Sequence, residues 1–204
     1  MIECKHEFSE NCRKVTGMKL HYMKKFNGDL GTLPHREHEV GAVQFKEPED
    51  MKKLGLLANG IALVMCFVTI PVLYLKGGFL AFNIWGCIVS TLCLFPHEFI
   101  HAICFREDVY LYTNLKNGML FVTGTEDMSK FRFVFMSLLP NFVFGFVPFI
   151  LFMINPSWGF AGTLGALSIP MGAGDYLNVF NAIRQVPKGA KIYMSGMHSY
   201  WYML

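Results

Sequence analysis

The sequence predicts an all-α membrane protein of four transmembrane helices, with the third and fourth spans kinked or broken, a short cytoplasmic β-hairpin and a polar N-terminal segment. Three observations predict it. Of 204 residues, 53% are hydrophobic and only 16% are charged, against about a quarter charged in an ordinary soluble chain. The charge is segregated: ten of the eighteen Lys and Arg and nine of the fifteen Asp and Glu precede residue 54. Behind that polar head lie four stretches long enough to cross a bilayer, which takes about 20 mostly apolar residues.

The division is a polar segment, 1–52, and a membrane domain, 53–204, with spans at about 54–75, 79–105, 133–154 and 158–186 and a loop over 106–132. The first span is uninterrupted. The second carries Pro96, His97, Glu98 and His101 near its end; the third carries Pro140, Asn141 and Pro148, and the fourth Pro170, Gly172, Gly174 and Asp175. Pro and Gly at this density imply kinks or breaks in the last two. With four spans the two ends and the 106–132 loop share one side of the membrane. That side collects seventeen of the eighteen basic residues and leaves only Lys76 opposite, so the positive-inside bias places both termini in the cytoplasm. Inside the loop, 109–115 and 119–123 are rich in β-branched and aromatic residues and flank Asn117-Gly118, the pattern of a hairpin with a type I′ turn. The first 50 residues show no clean hydrophobic period, and the chain has no internal repeat.

The net charge of +3 is mild, and the basic residues neither cluster nor interleave with aromatics, which argues against nucleic acid. Cys66, Cys87, Cys93 and Cys104 fall in apolar runs and Cys4 and Cys12 in the cytoplasmic tail, so disulfides are not expected. Cys4, His6 and Cys12 match no common zinc spacing and read as tail residues. The N-terminus begins with charged residues and lacks the apolar core of a cleaved signal peptide.

The informative segment is Pro96-His97-Glu98-Phe99-Ile100-His101. Histidines at i and i+4 share one helical face, so both imidazoles can hold one metal ion while the intervening glutamate reaches the reacting water. A pair of satisfied histidines at a helix end is the plainer reading, but three ionisable groups together in an apolar span are costly unless they have a function. Two histidines leave a hydrolytic zinc site one protein ligand short. Beyond residue 51 only Glu98 and Asp175 are acids within spans, which makes Asp175 the third candidate. Depth agrees: His97 lies 18 residues into its span and Asp175 lies 17 into the parallel fourth span, at 1.5 Å per residue. Asp175 could instead cap a helix that starts near Gly174. Asn141 and Asn178 could orient a ligand, bind a substrate carbonyl or join helices, and Asn181 reads as interhelical glue.

At these residues the chain resembles a known family, the small multi-pass membrane proteins grouped as zincin peptidases, which are related in pattern to site-2-type intramembrane zinc metalloproteases. The resemblance rests on His97-Glu98-Phe99-Ile100-His101, Leu139-Pro140-Asn141 and Gly174-Asp175-Tyr176-Leu177-Asn178. It implies Zn2+ held by His97, His101 and Asp175, with Glu98 as general base and acid, Asn141 and Asn178 as candidate substrate-orienting residues, and a membrane-protein or peptide substrate cut near the cytoplasmic leaflet. The sequence departs from the better-known site-2 pattern in having Gly174 before Asp175, Tyr176 after it and no insert of PDZ length. Two rivals use the same residues: a zinc-binding transporter or sensor without hydrolysis, and a structural protein whose polar cluster only packs helices. The hairpin also offers an edge on which an unwound substrate could add as a strand.

Overall fold

The computed structural model describes residues 19–114 and 119–204. They are mostly helical, and two small sheets accompany the helices, so the expected all-α class gives way to helices plus strands. The helices are α1 (Met51–Gly77), α2 (Ile84–Leu92), α3 (Leu94–Ile103), α4 (Lys130–Asn141), α5 (Val147–Ile154), α6 (Gly159–Met171) and α7 (Ala173–Gln185). The strands are β1 (Leu20–Lys25), β2 (Val43–Gln44), β3 (Val109–Asn114), β4 (Met119–Thr123), β5 (Met128–Ser129), β6 (Lys191–Ser195) and β7 (His198–Tyr202).

Among the described residues, two helical stretches are long and apolar enough to cross a membrane, Lys52–Gly77 and Lys130–Ile154, and a third forms if Phe79–Leu92 and Leu94–Ile103, bent by 44°, count as one span. The expected fourth span is divided. Gly172 separates α6 from α7, and the 13 residues of α6 reach only about 20 Å, short of a bilayer core of about 30 Å. Position compensates for length, because α6 is the buried centre of the bundle, packed on α1, α2 and α5. Its glycines make that possible: a Cβ on Gly165 would meet the backbone nitrogen of Phe149 at 2.5 Å, and one on Gly162 would meet the Phe152 ring at 2.6 Å. Close approach through small residues is how helices associate where no water drives them together. Thr69 adds a hydroxyl bond to the Ala166 carbonyl at 2.9 Å. The outer face of α1 leaves Leu56, Phe67 and Leu75 more than 70% exposed, an apolar surface of the kind lipid covers.

The third span is one continuous stretch despite its prolines. Pro140 lies inside α4 one residue before its end, a π turn over Phe142–Phe146 follows and absorbs the misfit, and Pro148 sits in the first turn of α5 directly behind it.

In the first sheet β1 pairs parallel with β3, and β3 pairs antiparallel with β4 in the register Leu111↔Val122 and Asn114↔Met119. These are the two strands expected around Asn117-Gly118; the turn itself lies outside the described residues. One face of this sheet packs on α3 through Val109, and the other carries Phe26, Leu33, Tyr112 and Phe121. The second sheet has the order β2-β7-β6-β5, all antiparallel. Its β6–β7 hairpin turns on Gly196-Met197, with Gly196 at φ 64°, the left-handed conformation that favours glycine in two-residue turns. Where the chain leaves α3, the buried Glu126 pairs with Arg132 and accepts the amides of Arg106 at 2.6 Å and Glu107 at 3.1 Å, while Arg132 donates to the Cys104 carbonyl at 2.7 Å. This knot fixes the exit of α3 against α4.

Candidate metal centre

His97, Glu98 and His101 lie on α3, and Asp175 lies in the first turn of α7, where a carboxylate is favoured by the helix dipole. The structure brings them together. His97 Nε2 is 3.1 Å from Asp175 Oδ2 and His101 Nε2 is 3.2 Å from Asp175 Oδ1, so each imidazole faces its own carboxylate oxygen. The two rings meet edge-on with centroids 4.9 Å apart. One donor atom each from His97, Glu98 and His101 falls within 4.8 Å of the others. Asp175 makes no side-chain cap: α7 begins at Gly172 without one.

The chain supports these groups through α4, and Pro140 is the reason. A proline has no N–H, so the carbonyl four residues earlier, that of Met136, loses its helical partner. His101 Nδ1 takes it, donating at 2.9 Å. That bond fixes the tautomer, because a carbonyl only accepts; the neutral His101 ring then presents a lone pair at Nε2. A lone pair opposite a carboxylate oxygen at 3.2 Å calls for a cation. Two imidazole nitrogens and a carboxylate are zinc-type donors, and their 3.1 and 3.2 Å separations approach the ~3.3 Å edge of a tetrahedron with bonds of ~2.0–2.1 Å. The donor set fits.

Asn141, next along α4, donates through Nδ2 to Asp175 Oδ2 at 2.7 Å and to the Ser137 carbonyl at 3.3 Å. It is thereby held against Asp175. Its room is provided by Gly172, where any Cβ would lie 1.7 Å from Asn141 Oδ1. Asn178 has the opposite placement: it lines the cavity beside His97, His101 and Asp175. Asn181 is buried and accepts from Gln185 Nε2 at 2.9 Å within α7; among the described residues its side chain makes no bond to another helix.

The cavity has about 300 Å³ of space and is lined by residues of α1, α3, α4, α7, the strand β4 and the β6–β7 hairpin. Glu98 reaches across it, with Oε2 accepting the Val122 amide of β4 at 3.1 Å. Glu47, which precedes α1, lines the same cavity and accepts from His198 Nδ1 at 3.1 Å. Burial pushes its carboxyl above the ordinary value of 4.5, with the His198 and Ser199 hydrogen bonds pulling the other way. Sequence reasoning missed Pro140 as the residue that frees a carbonyl, Gly172 as the space for Asn141, and Glu47. The first two were legible: a Pro four residues after a carbonyl and a Gly before an intramembrane Asp both have local consequences.

A family model described as "Putative zincin peptidase" matches residues 90–191, half of the chain. Neither the curated proteins nor the solved structures contain a match. The matched stretch takes in α3, the β3–β4 hairpin, Pro140, Asn141 and Asp175; the chain belongs to this zincin peptidase family.

Proposed function

We propose that the protein is a membrane-embedded zinc peptidase in which His97, His101 and Asp175 hold the ion, Glu98 moves the proton, and peptide bonds of membrane-associated substrates are cut near the cytoplasmic leaflet. The observation that carries this reading is the convergence of the two Nε2 atoms on the two oxygens of Asp175, inside a cavity that Glu98 shares. When bound, zinc supplies Lewis acidity, polarising the scissile carbonyl and lowering the pKa of water toward about 7. Glu98 takes the proton of the attacking water and passes it to the leaving amine. Asn178, on the cavity wall one turn beyond Asp175, is placed to hold the substrate carbonyl, and Asn141 keeps Asp175 aimed.

Membrane helices resist cleavage because their amides are bonded internally, so the substrate must be unwound at the site. The outward edge of β4 can hold the unwound segment by strand addition. The basic residues support cytoplasmic termini, and the same pattern of histidine motif and late intramembrane aspartate supports kinship with site-2-type enzymes. A zinc-binding transporter or sensor would use the same ligands without the Glu98 proton step.

Glu98→Gln tests the difference. The change is nearly isosteric; it should leave the fold and the zinc content intact and lower cleavage by about 10² to 10⁴. Membranes carrying wild type should yield membrane-protein fragments that the variant does not. If no fragment depends on the wild type, and the variant matches it in every other assay, the binding-protein reading replaces the peptidase.

A further inference from the structure

Beside the cavity at the metal centre lies a second chamber of about 360 Å³, between α3 and the first sheet, lined by Leu20, Phe95, Pro96, Phe99, Ala102 and Leu111. The two spaces share only Glu98 and Val122. On its outer side the chamber is flanked by Phe95 and Phe99, each 54% exposed on α3, so it opens where lipid would lie. Val122 sits directly opposite Leu111 in the ladder; cross-strand partners project to the same face, and both border the chamber.

The backbone of Val122 says what fits. Among the described residues β4 ends the sheet order β1-β3-β4, and the Val122 N–H points away from β3, because it is bonded to Glu98 Oε2 at 3.1 Å. The carboxylate oxygen occupies the position that a carbonyl of an added strand would take. A residue paired there projects its side chain to the face of Val122 and Leu111, and so into the chamber.

We propose that the chamber is a subsite for one large apolar side chain of the Leu or Phe class, carried by a substrate segment that lies extended along β4 and displaces Glu98 from the Val122 amide. The proposal rests on the peptidase reading and names its substrate: an apolar segment that arrives from the bilayer side and is read by a single bulky residue next to the cleavage centre. Displacement also releases Glu98, already beside the histidines, from the Val122 amide, so an occupied chamber accompanies a free base.

The test is binding to zinc-free protein in lipid nanodiscs, read by fluorescence anisotropy with two labelled ten-residue peptides of Ala, Ser and Thr, differing only in a central Phe or Ala. Wild type should bind the Phe peptide roughly tenfold more tightly, the effect of burying one such side chain. Leu111→Trp should abolish that preference by obstructing the chamber, and Phe99→Ala should reduce it severalfold by opening its outer wall. Neither residue belongs to the donor set of His97, His101 and Asp175, so zinc uptake by both variants should equal that of wild type and report correct folding. Val122→Pro, which removes the outward N–H and also replaces a side chain bordering the chamber, should weaken both peptides. Absence of a Phe preference in wild type, or its survival in both chamber variants, overturns the proposal. Cleavage of both peptides by zinc-loaded protein without preference removes the subsite and leaves the peptidase; preference with no cleavage of any peptide does the reverse.

Discussion

The peptide bond at Pro140 shows how one side chain can act on a site it does not touch. By lacking an N–H it leaves the Met136 carbonyl to His101 Nδ1 at 2.9 Å, and that bond holds the imidazole in the tautomer a metal needs. Pro140→Ala restores a competing amide within α4, and we expect zinc affinity to fall by about 10- to 100-fold, the usual effect of removing a partner of a metal-bound histidine. Titration of the purified variant against a zinc chelator measures this; an unchanged affinity would show that His101 needs no such support. Gly172→Ala should act through the other arm, since a Cβ 1.7 Å from Asn141 Oδ1 must expel the amide that steadies Asp175. At this scale the sequence was informative, because His97, Glu98, His101 and Asp175 announce themselves by residue type and depth. Their supports did not, as the role of Asn141 depends on a contact across 34 residues that no spacing rule encodes.

Among the elements, α6 depends most on small residues. Adding a methyl group at Gly165, 2.5 Å from a backbone nitrogen, should cost about 1–3 kcal/mol by overpacking. Gly165→Ala is expected to lower the thermal midpoint in detergent, while a methyl at the exposed Gly60, which meets nothing within 4 Å, should not. Hydropathy read α1 and the third span well, because long uninterrupted apolar runs are the strongest signal in a sequence. It fused α6 and α7 into one span, since a single Gly172 at their junction is a weak mark within a 29-residue stretch. The β3–β4 strands were visible from their aromatic and β-branched runs. β2 and β5 were not, for they are two residues long and owe their form to partners far along the chain. The β6–β7 turn carried a readable Gly196.

For the whole molecule, the distribution of basic residues predicts an orientation with the sheets, the termini and the 106–132 loop on the cytoplasmic side and Lys76 on the other. Cysteine labelling of intact cells should reach a cysteine at position 76 and fail to reach one at position 107; the opposite result would invert the topology and put the cavity on the outer face. The second sheet carries a further consequence. Gln44 of β2 and Tyr200 of β7 are bonded partners 156 residues apart, and Met194, Gly196 and Met197 of the hairpin wall the cavity that holds Glu98. A ribosome delivers those residues after every helix has emerged. The nascent chain thus has its histidines and its aspartate before it has an enclosed chamber to use them in, and the proposed hydrolysis has to wait until the last hairpin closes over residues made far earlier.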